Sequence, residues 1–222
     1  MRNLIIAFSL ALVAAGAAAK DSKISQLPSG TLNGDLYTND AIGVNYQFPS
    51  GWSATMEPKG SALLDPEHPN APGNQCSKVL LLLDAPGKSE GRFSSLAALI
   101  AVDPDCLSGP VFPQTLQEID KVNKVVDVVI KRFKNSPFFS PYGVKILEYE
   151  LDGHVVILLN GGMTINAVEG HPAATKAPLV VSTSFSLAKS NGFWIVWAYV
   201  ADDPSAEQLE KAKPQFASQP PQ

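Results

Sequence analysis

The clearest pattern in the chain is an alternation of side-chain types between Leu179 and Val200. From Leu179 to Leu187, mostly apolar residues alternate with Val180 and three serines, which is the period of two of a pleated strand. Asn191-Gly192 then accepts positive φ at low cost and favours a tight hairpin turn. The segment that follows is apolar on both faces, so we expect it to be a strand inside a sheet that is covered on both sides.

Similar patterns predict further strands along the chain. They are Asp35–Thr38, Ile42–Phe48, Trp52–Met56, Lys78–Asp84, Phe93–Val102, Gly143–Leu151 and His154–Leu159. The Phe93 segment also resembles a helix, but Gly91 and Asp103-Pro104 bracket it closely and favour a strand. The Gly143 segment has no purely apolar face, so its inward face stays open. Asn160-Gly161-Gly162 is predicted to break the last strand.

Two helices are predicted. Thr115–Lys134 opens with the capping-box spacing of Thr115 and Glu118 and carries an apolar stripe at helical spacing. A shorter helix begins at Asp203, which caps it, with Pro204 in the first helical position. Because the elements do not alternate as βαβ units, the predicted fold class is α+β, a mainly antiparallel twisted sheet with helices packed on its faces.

The start of the chain has the form of a secretory leader. Arg2 precedes the apolar run Leu4–Ala15, and Ala17–Ala19 fits the rule for cleavage before Lys20. The run is short for a membrane anchor, and no later stretch is long and apolar enough to span. We therefore expect an exported protein, periplasmic or extracellular. It is divided into a signal peptide (1–19), a flexible lead-in (20–32), one domain (33–216) and a disordered tail (217–222).

Composition narrows the class of partner. The chain has 222 residues, 45% of them hydrophobic, which is enough for one domain with a sizeable core. Its formal net charge of −4 argues against nucleic acid and anionic membranes as partners, since both need clustered lysine and arginine. The partner expected from the sequence is a protein, and the oligomeric state stays open.

The opening strands resemble those of the PsbP/Mog1-like superfamily. The matching positions are Tyr37, Asn39, Gly43, Tyr46, Phe48-Pro49 and Gly51-Trp52. The order that follows is also similar, with a long helix, two strands, a last hairpin and a final helix after Asp203-Pro204. The resemblance spans most of the chain after the leader and implies an α/β/α sandwich that serves chiefly as a non-catalytic binding or assembly module. It transfers no functional residue, and the loop Glu57–Gln75 departs from the pattern.

Cys76 and Cys106 are the two cysteines of the chain. They lie just before the Lys78 strand and just after the Phe93 strand, so antiparallel pairing of these strands places both at one end. An even pair in an exported protein most often forms a disulfide. The alternative is two free thiols acting as a redox pair, although no Cys-x-x-Cys is present.

No catalytic or cofactor-binding motif is evident. The chain lacks a Gly-x-Ser-x-Gly elbow, and its histidines have no nucleophile motif nearby. Polar loop residues that are chemically able to bind a metal are Asp65, Glu67, His68 and His171, but solvated loop side chains explain them equally well. The Asp103 and Asp105 pair flanks Pro104 and is typical of a strand terminator.

Three functions follow from these observations. The first is an exported, non-catalytic binding module for a protein. The second is a hydrolase or metal-dependent enzyme built from the 57–75 and 169–171 loops, which requires His68 and His171 to lie close together. The third is a carrier of a small apolar ligand, held in a pocket between helix and sheet.

Overall fold

The computed structural model describes residues 22–58, 75–86, 94–106, 139–151, 154–165 and 179–216. In this part of the chain, a seven-stranded sheet has the order β4-β5-β6-β10-β9-β8-β7 and a four-stranded sheet the order β1-β2-β3-β11. The large sheet consists of β4 (Ser53–Met56), β5 (Ser77–Asp84), β6 (Leu96–Val102), β7 (Phe139–Leu151), β8 (His154–Ile165), β9 (Leu179–Ser190) and β10 (Phe193–Ala201). The small sheet consists of β1 (Thr31–Asn33), β2 (Leu36–Asn39), β3 (Val44–Gln47) and β11 (Gln215–Phe216), and the described helix α1 is Asp203–Lys211.

Neighbouring strands in both sheets run antiparallel. The predicted α+β class with a mainly antiparallel sheet is therefore confirmed. The division into two sheets was not predicted, because β1, β2, β3 and β11 are short and the pairing of β11 with β3 joins the two ends of the domain.

The β9–β10 hairpin has the predicted form. Ser190 pairs with Phe193 across Asn191-Gly192, whose φ angles of 47° and 81° are those of a tight turn with both central residues in the left-handed region. β10 pairs with β6 on one side and β9 on the other, and Trp194–Ala201 are all buried. The expectation of a strand inside a sheet covered on both sides is confirmed.

We name the two faces of the large sheet by the residues that β10 places on each. The front face carries Trp197 and Tyr199, and the back face carries Val196 and Ala198. On the front face the small sheet contributes Tyr46, whose hydroxyl accepts a hydrogen bond from Trp197 Nε1 at 3.1 Å. Helix α1 contributes Glu210, whose Oε1 accepts a 2.6 Å bond from the Tyr199 hydroxyl. The main core therefore lies between the front face and this second layer.

The segment before β1 is attached to the core. Ser22 caps a 3₁₀ turn at Lys23–Gln26, and the apolar side chains of Ile24 and Leu27 are buried in the core. The Lys23 backbone N–H donates to Asp103 Oδ2 at 2.7 Å. Burial of the two apolar side chains offsets the entropy lost when the segment is fixed.

Gly30 follows this attached segment and has a φ of +81°. A Cβ placed on Gly30 would lie 2.5 Å from the Thr38 carbonyl oxygen and 2.7 Å from the Tyr37 hydroxyl. Both the backbone angle and the close approach therefore require glycine.

Two predicted boundaries are wrong because a side chain caps the backbone. Ile42 closes a 3₁₀ turn at Asp40–Ile42, where Asn39 accepts the Ala41 N–H at 3.2 Å, so β3 begins two residues later than predicted. Asp202 rather than Asp203 caps α1, since its Oδ1 accepts the Ser205 N–H at 3.1 Å and Pro204 becomes the second helical residue. Phe216 lies beyond the end of α1, in β11.

The predicted break at Asn160-Gly161-Gly162 is also wrong. β8 continues through these residues to Ile165 and pairs with β7 on one side and with β9 on the other. Two ladders of backbone hydrogen bonds hold the strand, which outweighs the low strand propensity of glycine. Three predicted elements lie outside the described residues. They are the leader, the helix Thr115–Lys134 and the tail from 217. Among the described helices none is long and apolar enough to cross a membrane.

Candidate functional site

The front face of the large sheet is exposed over part of β7, β8 and β9. Two large apolar side chains lie there in water, Leu147 with 48% and Val180 with 55% of its surface exposed. The cross-strand pairing places further residues on the same face between and beside them. We call this surface the open strip, and it comprises Lys145, Leu147, Asn160, Gly162, Thr164, Val180 and Ser182.

The back face of the same strands is buried. Met163, Val181, Phe185 and Leu187 each have at most 1% of their surface exposed. Leu147 pairs with Leu158 and Val180 with Thr164, six residues further along β8, so the two lie about 20 Å apart along the strands and each is a single exposed apolar residue. The contrast between the two faces makes the open strip the candidate site.

Glycine in β8 shapes the floor of the open strip. Gly162 pairs with Ser182, so two adjacent positions carry almost no side chain. The Thr183 hydroxyl donates to the Gly161 carbonyl at 3.1 Å and fixes the backbone there. Glycine inside a strand commonly marks a close approach by a ligand or by another backbone. The strip is therefore low in the middle, between Leu147 and Val180.

One cross-strand row connects the open strip to the core. Lys145 pairs with Asn160, Asn160 with Ser184, and Ser184 with Tyr199. Asn160 Oδ1 is buried and accepts no hydrogen bond from the described residues. Burial, followed by the Glu210 carboxylate, raises the pKa of Tyr199 far above its usual value of 10.0, so the phenol stays neutral. Beyond Lys145, the row consists of the neutral hydrogen-bonding groups of Asn160, Ser184 and Tyr199.

A narrow notch adjoins the open strip where the C-terminal segment crosses the front face. Its walls are mainly apolar, from Trp197, Val156 and Phe216, and the space between them is no larger than about one water molecule. Ser186 Oγ lines it and has no hydrogen-bond partner among the described residues. Lys213 stands in its wall, paired with Glu210 Oε2 at 2.7 Å.

The charged groups near the start of the domain are structural. Lys78 Nζ donates to the Leu27 carbonyl at 2.7 Å and pairs with Glu57, which also accepts the Ser29 hydroxyl. The hydrogen bonds from Lys78 and then Ser29 lower the pKa of the Glu57 carboxyl. These contacts fasten the segment before β1 to the large sheet and leave no group turned towards a ligand.

Asp103 and Asp105 are also occupied. Asp103 accepts the backbone N–H of Lys23 and, through Oδ1 at 3.0 Å, that of Asp105. Asp105 pairs with Lys23 Nζ at 2.6 Å. The pair ends a strand, as the sequence favoured, and anchors the first described residues.

The cysteine pair lies at the predicted end of β5 and β6. The structure joins Cys76 to Cys106 with Cα atoms 5.5 Å apart, and the Asp103 N–H donates to the Cys76 carbonyl at 2.8 Å. Both cysteines are fully buried. The arrangement is a structural link between adjacent strands rather than an accessible redox pair.

The predicted metal candidates Asp65, Glu67, His68 and His171 lie outside the described residues, so proximity of His68 to His171 stays a prediction. Within the described ranges, no three or more His, Cys, Asp or Glu side chains are grouped to hold a metal ion.

The open strip was not identified from the sequence. The one sequence feature that pointed to it is the Gly143 segment, in which neither face is purely apolar. An edge strand with an exposed Leu147 has this mixed pattern.

Two solved structures are similar to this chain. A cyanobacterial PsbP from Synechocystis sp. PCC 6803 is similar, with 13% identity, a TM-score of 0.47, and coverage of 82% of this chain and 89% of that one. LpqN, involved in cell envelope biogenesis of Mycobacterium tuberculosis, has 16% identity and a TM-score of 0.40, and the match covers 78% and 83% of the two chains. No family model and no curated protein matches. Both are structural similarities at low sequence identity.

Proposed function

We propose that the protein is an exported, non-catalytic binding module that engages a protein partner through the open strip. The observation that supports this most directly is the exposure of Leu147 and Val180 on one face of strands whose other face is buried. Apolar side chains around hydrogen-bonding groups are the usual chemistry of a protein-binding patch.

The polar groups of the strip favour recognition over catalysis. Thr164 and Ser182 are neutral donors and acceptors, suited to binding a backbone or an amide side chain. Gly162 lets a partner approach the sheet closely. Lys145 is the one cation of the strip and favours a partner with an acidic group beside its apolar contact.

Export rests on the sequence and on the cysteines. The leader at 1–19 directs secretion, and a buried disulfide is typical of an oxidising compartment. Both features support a location outside the cytoplasm.

Site-specific photocrosslinking tests the proposal. A photoreactive residue at Val180 is expected to capture a partner from the exported fraction, while one at the exposed Asn45 of β3, away from the strip, captures nothing above background. Val180→Asp is expected to abolish the complex and to leave the melting temperature unchanged, because Val180 is already more than half exposed. Equal capture from both positions, or a complex that survives Val180→Asp, would show that the strip is not the binding surface.

A further inference from the structure

We propose that Asn33 is a site of spontaneous deamidation, at which the backbone nitrogen of Gly34 displaces ammonia from the Asn33 side chain. The chain contains three Asn-Gly dipeptides, which are Asn33-Gly34, Asn160-Gly161 and Asn191-Gly192. The structure places them in different surroundings and so assigns the reaction to the first. The inference is independent of the proposed function, because Asn33 lies in the small sheet and the open strip in the large one.

The reaction needs only water as a second reactant. The Gly34 nitrogen gives up its proton to base and attacks the side-chain carbonyl carbon Cγ of Asn33, while Nδ2 takes a proton and leaves as ammonia. The cyclic imide that results takes up one water molecule at either carbonyl carbon. It opens to aspartate or to isoaspartate, in which the backbone runs through the side chain. Glycine suits this step because it has no Cβ beside the attacking nitrogen and its backbone rotates freely.

The surroundings of Asn33 leave this attack open. Asn33 ends β1, a strand of three exposed residues that pairs only with β2 among the described strands. Its side chain forms no hydrogen bond with the described residues. Gly34 has a φ of +59°, and no atom lies within 4 Å of the position that a Cβ would take there. The two reacting groups can therefore come together when the end of a short edge strand opens, which costs little free energy.

The other two dipeptides are restrained. Asn191 is exposed, but its Nδ2, the nitrogen that must leave, donates to the Ala41 carbonyl at 3.3 Å and fixes the amide. Asn160 lies within β8, where it pairs with Lys145 on one side and with Ser184 on the other. Attack on Asn160 therefore requires a strand inside the large sheet to open.

These differences set the expected order of rates. Asn191 should react about two- to tenfold more slowly than Asn33, because its hydrogen bond must break first. Asn160 should react more than about a hundredfold more slowly, because opening a strand that is paired on both sides takes a large part of the free energy of unfolding. Asn33 is therefore expected to be the main site of reaction in the native protein.

Reaction at Asn33 alters the edge of the small sheet. A carboxylate replaces a neutral amide close to Asp35, so like charges meet in the turn. Isoaspartate also adds one methylene to the backbone next to a tight turn that fixes the register of β1 with β2. The 2.7 Å hydrogen bond between the Thr31 and Thr38 hydroxyls depends on that register and is expected to be lost in the isoaspartate form.

Timed peptide mapping of the full chain tests the assignment. The native protein is held at mildly alkaline pH, and mass spectrometry follows the conversion of amide to acid at each of the three dipeptides. The same incubation in urea removes the folded structure, and there the three sites are expected to react at similar rates. In the native protein, Asn33 is expected to react first. The proposal is overturned if Asn33 reacts no faster than Asn191 or Asn160, or stays intact in the native protein while it reacts in urea.

Asn33→Gln is the matched variant. Its side chain keeps an exposed amide, but attack by the Gly34 nitrogen would have to form a larger and less favoured ring. Reaction at this position is therefore expected to be lost, while Asn191 reacts at its native rate. Isoelectric focusing of the aged native protein should show an acidic form that Asn33→Gln lacks. An acidic form that accumulates equally in both proteins would contradict the assignment.

Discussion

The hydrogen bond between the small sheet and the large sheet gives the sharpest test of the fold. Trp197 Nε1 donates to the Tyr46 hydroxyl at 3.1 Å, and the two rings meet edge to face with centroids 6.3 Å apart. Tyr46 is 0% and Trp197 2% exposed, so water cannot replace either partner. Tyr46→Phe keeps the ring and removes only the acceptor.

The expected cost follows from the buried donor that remains. Leaving the Trp197 N–H without a partner costs about 1–3 kcal/mol, since its desolvation is no longer compensated. For a domain of this size, each kcal/mol lowers the melting temperature by about 2–4 °C. We therefore expect Tyr46→Phe to unfold about 4–8 °C below the native protein, a loss of about 2 kcal/mol.

A double-mutant cycle separates this bond from the packing of the rings. In a Trp197→Phe background the donor is absent, so Tyr46→Phe removes an unsatisfied hydroxyl and is expected to cost almost nothing or to stabilise. Thermal and urea unfolding of the four proteins give the coupling free energy. An equal cost of Tyr46→Phe in both backgrounds would refute the hydrogen bond as the link between the layers.

Three further outcomes are expected. Gly30→Ala should lower the free energy of unfolding by more than about 2 kcal/mol, because the strain of a positive φ, about 1–2 kcal/mol, adds to a clash with the backbone. Gly34→Ala, with open space around the added Cβ, should cost only the strain. Similar losses for the two variants in urea unfolding would contradict this. Replacing Cys76 and Cys106 together by alanine should lower stability by about 3–4 kcal/mol, and two titratable thiols in the native protein would contradict the link. Folding raises the pKa of Tyr199, so the contribution of its neutral phenol to the free energy of unfolding is complete below pH 10. That contribution is lost as the pH rises above the unfolded pKa, by about 1.4 kcal/mol per pH unit. Melting temperatures from pH 8 to 11 should fall less steeply in Tyr199→Phe, and identical slopes would refute the shift.

The sheet was largely predictable because burial leaves a regular trace in sequence. β5, β6 and β10 are buried on both faces and contain almost only apolar residues. Asn191-Gly192 fixed the last hairpin because few other dipeptides accept two positive φ angles. The capping errors at Asn39 and Asp202 are of one residue or two, since adjacent polar residues compete for the same backbone N–H groups.

The small sheet was not predictable as a separate layer. Its strands contain two to four residues, too short for a periodic pattern, and β11 depends on contact with β3 across most of the chain. The attachment of Lys23 to Asp103 and of Lys78 to Leu27 is equally long-range. Such contacts form because the final packing brings the groups together, and local sequence carries no record of them.

The error at Asn160-Gly161-Gly162 and the candidate site have one cause. Local propensity favours a turn there, yet β7 and β9 pair with β8 on both sides and keep these residues extended. The sheet thus holds three weak strand formers, and Gly162, which lies on the front face, leaves the floor of the open strip low. Valine at Gly162 would strengthen the strand on propensity grounds and fill that floor. A protein selected for stability alone would favour that change, so a gain in stability with loss of partner capture would show that Gly162 serves binding.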